Sequence, residues 1–127
     1  MSEDAASTRH ISMRGGGYYS KATTGAKDVI DGGTPLILAA LASMDITDEA
    51  RPFTMADTGC ADGGTSVTMV NAVLSEVRRR APHRPIQMVY TDLPRNDFSQ
   101  VFRNIHGETD IETYVGDIDN LYVFASA

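Results

Sequence analysis

Apolar residues follow two rhythms along this chain. In the first they return every three or four positions. Val67, Val70, Val73, Leu74 and Val77 form one such stripe, which predicts an amphipathic helix from about Thr65 to Arg80; the segment APHRP closes it. Ile37, Leu38, Leu41 and Met44 form another, with Thr34 placed as N-cap and Pro35 in the first turn. Before it, a helix from about Lys21 to Asp31 is expected to stop at the pair Gly32-Gly33. A short helix after Asn96 carries Val101, Phe102 and Ile105 on its apolar side. The second rhythm is a brief, nearly continuous apolar run. FTMAD (53–57) reads as a short buried strand, IQMVYTD (86–92) as the second strand and LYVFASA (121–127) as a candidate third. IETYV (111–115) fits either a small strand or an extended loop, and DITDEARP (45–52) reads as a polar loop. Residues 1–9 read as a disordered lead, which leaves 10–127 as the one unit expected. Within that unit MRGGGYY (13–19) is a glycine loop able to bring backbone close to a ligand.

Strand, glycine turn, helix and strand in that order predict a parallel βαβ unit with a right-handed crossover. The fold class expected is therefore α/β and Rossmann-like, with helices preceding the βαβ unit. Ligands of such sheets bind outside the carboxyl ends of the strands. Asp57 and Asp92 both fall at those ends, and the glycines of ADTGCADGGTS (56–66) follow the first of them.

Composition narrows the picture further. The 127 residues are 42% hydrophobic and 22% charged, as in soluble globular domains. A net charge of −6 and an isoelectric point near 4.8 argue against a general binder of nucleic-acid backbone, which brings clustered Lys and Arg. The basic run Arg78-Arg79-Arg80, with Arg84 nearby, stands where a helix ends and complements its dipole. A single cysteine, Cys60, excludes an intramolecular disulfide and fits a reducing compartment. The polar N-terminus has no apolar signal core, and TPLILAALASM is too short to span a bilayer. A cytoplasmic protein without membrane or nucleic-acid partners is the expectation. His10, His83 and His106 are scattered without metal-ligand spacing, and Asp117 with Asp119 lacks the calcium-loop pattern.

The turn after the first strand must then suit a ligand. A dinucleotide wants G-x-G-x-x-G and an acid about 20 residues further on. Here Asp57 takes the place of the first glycine, and Asp92 lies too far along. Asp57 and Asp62 would also repel a diphosphate. S-adenosylmethionine has no phosphate and carries a sulfonium and an ammonium. An acid ending the first strand suits its cationic end, glycines let the methionine portion lie against the turn, and an acid ending the second strand can accept both ribose hydroxyls. Cys60 could border this ligand or could simply pack. Nothing marks it as a nucleophile, since no histidine stands as partner. Asp97 is expected to order the turn after Pro94 or to cap the following helix.

Three stretches together resemble the SABATH family of methyltransferases, which methylate small carboxylic acids and, in one branch, purine nitrogens. ISMRGGGYYSKATTGA is similar to the family's N-terminal glycine motif and its tyrosine-containing continuation. ADTGCADGGTS is similar to the Asp-Leu-Gly-Cys-Ser-x-Gly-x-Asn cofactor loop. YTDLPRNDFSQVFRNI is similar to Asn-Asp-Leu-Pro-x-Asn-Asp-Phe-Asn-x-Leu-Phe, and this match is the most specific. The resemblance runs over residues 10 to 126 and implies a partial methyltransferase fold with S-adenosylmethionine as cofactor. It puts cofactor contacts on Tyr19, Thr23, Asp57, Gly59, Cys60, Gly63, Thr65, Asp92 and Leu93, with Leu93 on the adenine and Asp92 on the ribose. Tyr19 would close the pocket and, with Ala26, border the substrate. Thr65 replaces the family's usual asparagine and keeps one hydroxyl in place of an amide's paired groups. Ala26 replaces a glutamine that binds the substrate carboxylate in many relatives, and an alanine cannot make that contact.

The resemblance further implies a Gly-Ser-Phe-Tyr motif and an aromatic substrate pocket beyond LYVFASA. The chain is accordingly expected to be the N-terminal part of an O-methyltransferase for a small-molecule carboxylic acid, a homodimer when full length. The alternatives are an inactive remnant, a cofactor-binding or interaction module and, last, a piece of a dinucleotide-binding oxidoreductase. Methyl transfer to a carboxylate needs alignment more than acid-base help, so no catalytic residue is nominated.

Overall fold

The structure, a computed structural model, describes residues 24–127. Three strands build one parallel sheet in the order β1 (Phe53–Thr58), β2 (Ile86–Thr91), β3 (Leu121–Ser126). The register puts Phe53 beside Ile86, Asp57 beside Tyr90, and Thr91 beside Ser126. The helices are α1 (Thr24–Ala42), α2 (Val67–Arg80) and α3 (Phe98–Ile105). The α/β class and the parallel βαβ order expected from the sequence are what the chain adopts.

Side chains of a strand point alternately to its two faces, and the described residues cover only one face of this sheet. Ile86, Met88 and Tyr90 of β2 are fully buried and share one apolar cluster with Val67, Val70, Val73, Leu74 and Val77 of α2 and with Val101 and Ile105 of α3. Both crossover helices therefore lie on the same side, as two successive right-handed crossovers in one direction require. The other side carries Thr54, Gln87, Tyr122 and Phe124. Thr54 donates to Gln87 Oε1 at 3.0 Å, and Tyr122 and Phe124 stay 54% and 51% exposed. Strands β1 and β3 thus alternate between half-buried and exposed. The buried strand expected at 53–57 is only half-buried on its inward side, at Phe53, Met55 and Asp57, and exposed at Thr54 and Ala56.

The larger correction concerns α1. The sequence suggests two helices broken at Gly32-Gly33 and restarted at Thr34-Pro35, but a single helix runs through all four residues. Glycine weakens a helix without forbidding it, whereas Pro35 deletes one backbone donor. Local and tertiary contacts outweigh both. Lys27 Nζ bridges to Asp31 Oδ2 at 2.5 Å, and the Thr34 hydroxyl, far from capping a new helix, donates back to Ile30 O at 3.3 Å. Leu41 is buried and Leu38 packs against the same core. Ile37 and Met44, expected on the buried stripe, are exposed.

Arg78, Arg80 and Arg84 sit at the opposite end of the sheet from Asp57 and Asp92 and bind backbone carbonyls, while Arg79 pairs with Glu76. Arg78 donates to Ala81 O, Arg84 O and Asp119 O at 3.0, 2.7 and 2.7 Å. Arg80 reaches Leu41 O and Met44 O, and Arg84 reaches Ile46 O and Arg51 O. Each guanidinium presents several rigid donors, so these three fasten the loops entering the strands. The segment read as a polar loop also buries Ile46. IETYV is not a strand: a 3-10 turn, Val115–Asp117, begins at its last residue, with Val115 buried. Among the described residues no helix is long and apolar enough to cross a membrane.

Candidate functional site

The site begins where β1 runs out. Gly59 N–H and Cys60 N–H both donate to Thr91 O, at 2.8 and 3.0 Å, so the turn is spliced onto the end of β2 before it departs. Gly59 and Gly63 have φ of +73° and +77°. A Cβ at Gly59 would meet nothing within 4 Å and one at Gly63 only ordinary contacts; the left-handed backbone, rather than crowding, is what demands glycine there. Gly63 N–H closes back on Cys60 O at 2.9 Å, and the chain then enters α2 at Ser66.

Asp57 lies on the covered face, half-buried. Its Oδ2 accepts the Ser66 hydroxyl at 2.5 Å. Burial raises its pKa above the ordinary carboxylate value, Ser66 opposes the rise, and the nearby Asp92 charge adds to it. Asp92 is held by backbone: Oδ2 accepts from Ala61 N and Oδ1 from Leu93 N, each at 2.6 Å. A carboxylate oxygen can accept more than one bond, so both remain competent toward ribose hydroxyls. Leu93, beside it, is 53% exposed and presents an apolar surface at the rim.

Cys60 is buried with its thiol toward Ala61 O at 3.4 Å. Burial, then Asp57 and Asp92, push its pKa up to about 12, which leaves it inert as a nucleophile. Thr65 is buried in the turn just before α2. Ala26 is half-buried near the start of α1. Its neighbour Lys27 reaches Thr68 Oγ1, in the first turn of α2, at 3.1 Å, so α1 begins beside the helix end that receives the glycine turn. Tyr19 and Thr23 lie outside the described residues.

Three contributors carry no functional role in the sequence reading. Ser66 holds Asp57; its signal is the position at the start of α2. Asn96 sits within a quoted motif, and its Nδ2 donates to Ala61 O at 2.7 Å. Asn104, 1% exposed, donates to Asp62 O at 2.8 Å while its own Oδ1 accepts from Gln100 and Thr109. Its signal was absent, because α3 reaches the turn only once folded. Asp97, as expected, caps α3 by accepting from Gln100 N–H. Beneath the turn, Tyr90 is fully buried, and its hydroxyl has no partner among the described residues. Burial and the nearby Asp57 push the phenol pKa upward.

The arrangement gathers Asp57, Asp62 and Asp92 around a bare backbone turn. Burial, with the Asp92 charge adding to it, already disfavours Asp57's ionised form; a cationic group brought there favours that form, while a diphosphate would disfavour it further.

Comparison with known proteins agrees with this geometry. A family model described as SAM dependent carboxyl methyltransferase matches residues 8–126. The O-methyltransferase acrG of Aspergillus aculeatus is 32% identical over 110 residues, covering 83% of this chain and 29% of its own length. Gibberellic acid methyltransferase 2 of Arabidopsis thaliana is 29% identical over 76 residues, 54% of this chain and 20% of its own. The chain thus spans less than a third of these relatives.

Proposed function

The chain belongs to the SAM-dependent carboxyl methyltransferase family, and on that premise we propose that it binds S-adenosylmethionine and forms the cofactor-holding part of an enzyme that O-methylates a small carboxylic acid. The observation that carries the reading is the pair of acids, Asp57 and Asp92, ending adjacent parallel strands on either side of a turn with left-handed glycines. Asp57 faces the cationic groups of the cofactor; burial, and then the Asp92 charge, raise its pKa, and a cation beside it would favour the carboxylate. Asp92, oriented by two backbone donors, takes the ribose hydroxyls, and the exposed Leu93 packs on the adenine. Gly59 and Gly63 let the methionine portion approach, Cys60 lines the turn, and Thr65 offers its hydroxyl. Tyr19 and Thr23 complete the set on the strength of the family motif.

When bound, S-adenosylmethionine supplies the methyl group. The protein's own contribution is alignment and the exclusion of water from the acceptor carboxylate. Ala26 favours a second reading, a cofactor-binding module without turnover, because it lacks the amide with which relatives hold the acceptor. Calorimetric titration with S-adenosylhomocysteine and with NADH tests the cofactor. Binding of the first and not the second is expected, and an NADH preference that survives Asp57→Ala would sink the methyltransferase reading. Transfer of labelled methyl to a panel of small carboxylic acids then separates enzyme from module. A small-molecule acceptor, a cytoplasmic setting and a homodimer of the full-length protein belong to the same proposal.

A further inference from the structure

Ala61 is the one non-glycine residue of the cofactor turn with a left-handed backbone, at φ +51°. A side chain at Cβ disfavours that region, so something must hold it there. Both of its own backbone polar groups are gripped by the segment that follows β2. Its N–H donates to Asp92 Oδ2 at 2.6 Å, and its carbonyl accepts Asn96 Nδ2 at 2.7 Å. Fixing the peptide on each side of one Cα fixes φ and ψ between them. Asn96 is itself set by its N–H to Leu93 O at 3.0 Å, so the grip is part of the loop that carries Asp92 and Leu93.

We propose that Asn96 is a positioning residue for the cofactor site: by holding Ala61 left-handed, it locks the glycine turn to the Asp92–Leu93 loop so that both halves of the pocket are preset to one another. The proposal rests on the cofactor reading above. It makes the two cofactor-binding segments one mechanical unit, and it gives Asn96 an effect on affinity without any contact to the ligand. Release of Asn96 would let Ala61 relax toward negative φ, carrying Cys60 and Asp62 with it and freeing Asp92 from its inner donor.

The test is a cycle of Asn96→Ala, Ala61→Gly and the double variant, titrated with S-adenosylhomocysteine by calorimetry. Loss of one such hydrogen bond predicts about a five- to tenfold weaker affinity for Asn96→Ala. Glycine adopts the left-handed region without the Cβ penalty, so Ala61→Gly alone should change little, within about twofold, and the double variant should recover most of the loss. A role of Asn96 in merely supporting α3 would not be rescued by a change at Ala61. Unchanged affinity in Asn96→Ala, or a loss that Ala61→Gly fails to relieve, overturns the proposal. Asn96→Asp, which keeps the shape but replaces the donor by an acceptor facing Ala61 O, serves if the alanine variant does not fold.

A second readout needs no ligand. In the free protein the Ala61 amide should be protected from hydrogen exchange, and its three-bond coupling should report positive φ; both should be lost in Asn96→Ala. If the wild-type chain binds no S-adenosylhomocysteine yet these signals change as expected, the cofactor reading fails while the grip on Ala61 stands. If the signals do not change, the grip itself is refuted whatever the ligand does.

Discussion

Asp57 is held where its charge is least comfortable, half-buried and near a second acid, with a single hydroxyl to support it. Its folded-state pKa is raised above the unfolded value, so the folded form takes up the proton more readily. Its contribution to stability is therefore fullest in acid and is lost as pH rises through the raised pKa. A cationic ligand inverts that preference. Affinity for S-adenosylmethionine is expected to be constant near neutrality and to fall as pH drops through a value above the usual carboxylate range. S-adenosylhomocysteine, lacking the sulfonium, should fall less. Asp57→Asn should weaken S-adenosylmethionine binding by about tenfold while leaving the thermal midpoint unchanged or higher, and calorimetry beside a melting curve reads both. Cys60 makes the complementary point. With its thiol pushed up to about 12, it holds roughly a thousandfold less thiolate than an ordinary cysteine. Alkylation by iodoacetamide at pH 8 should be correspondingly slow in the folded chain and fast in urea; rapid labelling of the native protein would contradict its burial.

At the scale of elements, the local signals that succeeded were those reinforced by packing. The α2 stripe is buried residue for residue as its spacing predicts, because a helix flanked by two strands of one sheet has only one face to bury. The signals at Gly32, Gly33 and Pro35 failed because they report only backbone preference. Helix α1 runs through them, held by Lys27–Asp31 and by Leu38 and Leu41 against the core. The proline remains a defect in that helix. Pro35→Ala restores a backbone donor at an exposed position and should stabilise the chain by about 1–3 kcal/mol, measured by urea unfolding. No change or a loss would mean that the proline does not strain α1. The arginine run shows the same division. Its place at a helix end was legible, whereas the service of Arg78, Arg80 and nearby Arg84 to the carbonyls of separate segments depends on chain far apart in sequence.

At the scale of the molecule, the described residues cover one side of the sheet. Its covered face buries Ile86, Met88 and Tyr90, and its other face leaves Tyr122 and Phe124 of β3, an edge strand among the described residues, half exposed. Exposed apolar strands with free edges promote association. Tyr122→Thr combined with Phe124→Thr should reduce concentration-dependent self-association in sedimentation velocity and shift stability by no more than about 1 kcal/mol. A large destabilisation would show that the open face supports the core after all. What the sequence determined by itself was the order of strands and helices, the α2 stripe, the two acids at strand ends and the glycine turn between them. Each of these is written in spacing along a few consecutive residues. Only the tertiary structure decided that α1 is unbroken, that half of β1 and β3 faces outward, and that Ser66, Asn96 and Asn104 hold the site. Those outcomes depend on which distant segments meet: Asn96 matters through a carbonyl on the other side of a crossover helix, and no local pattern encodes that meeting.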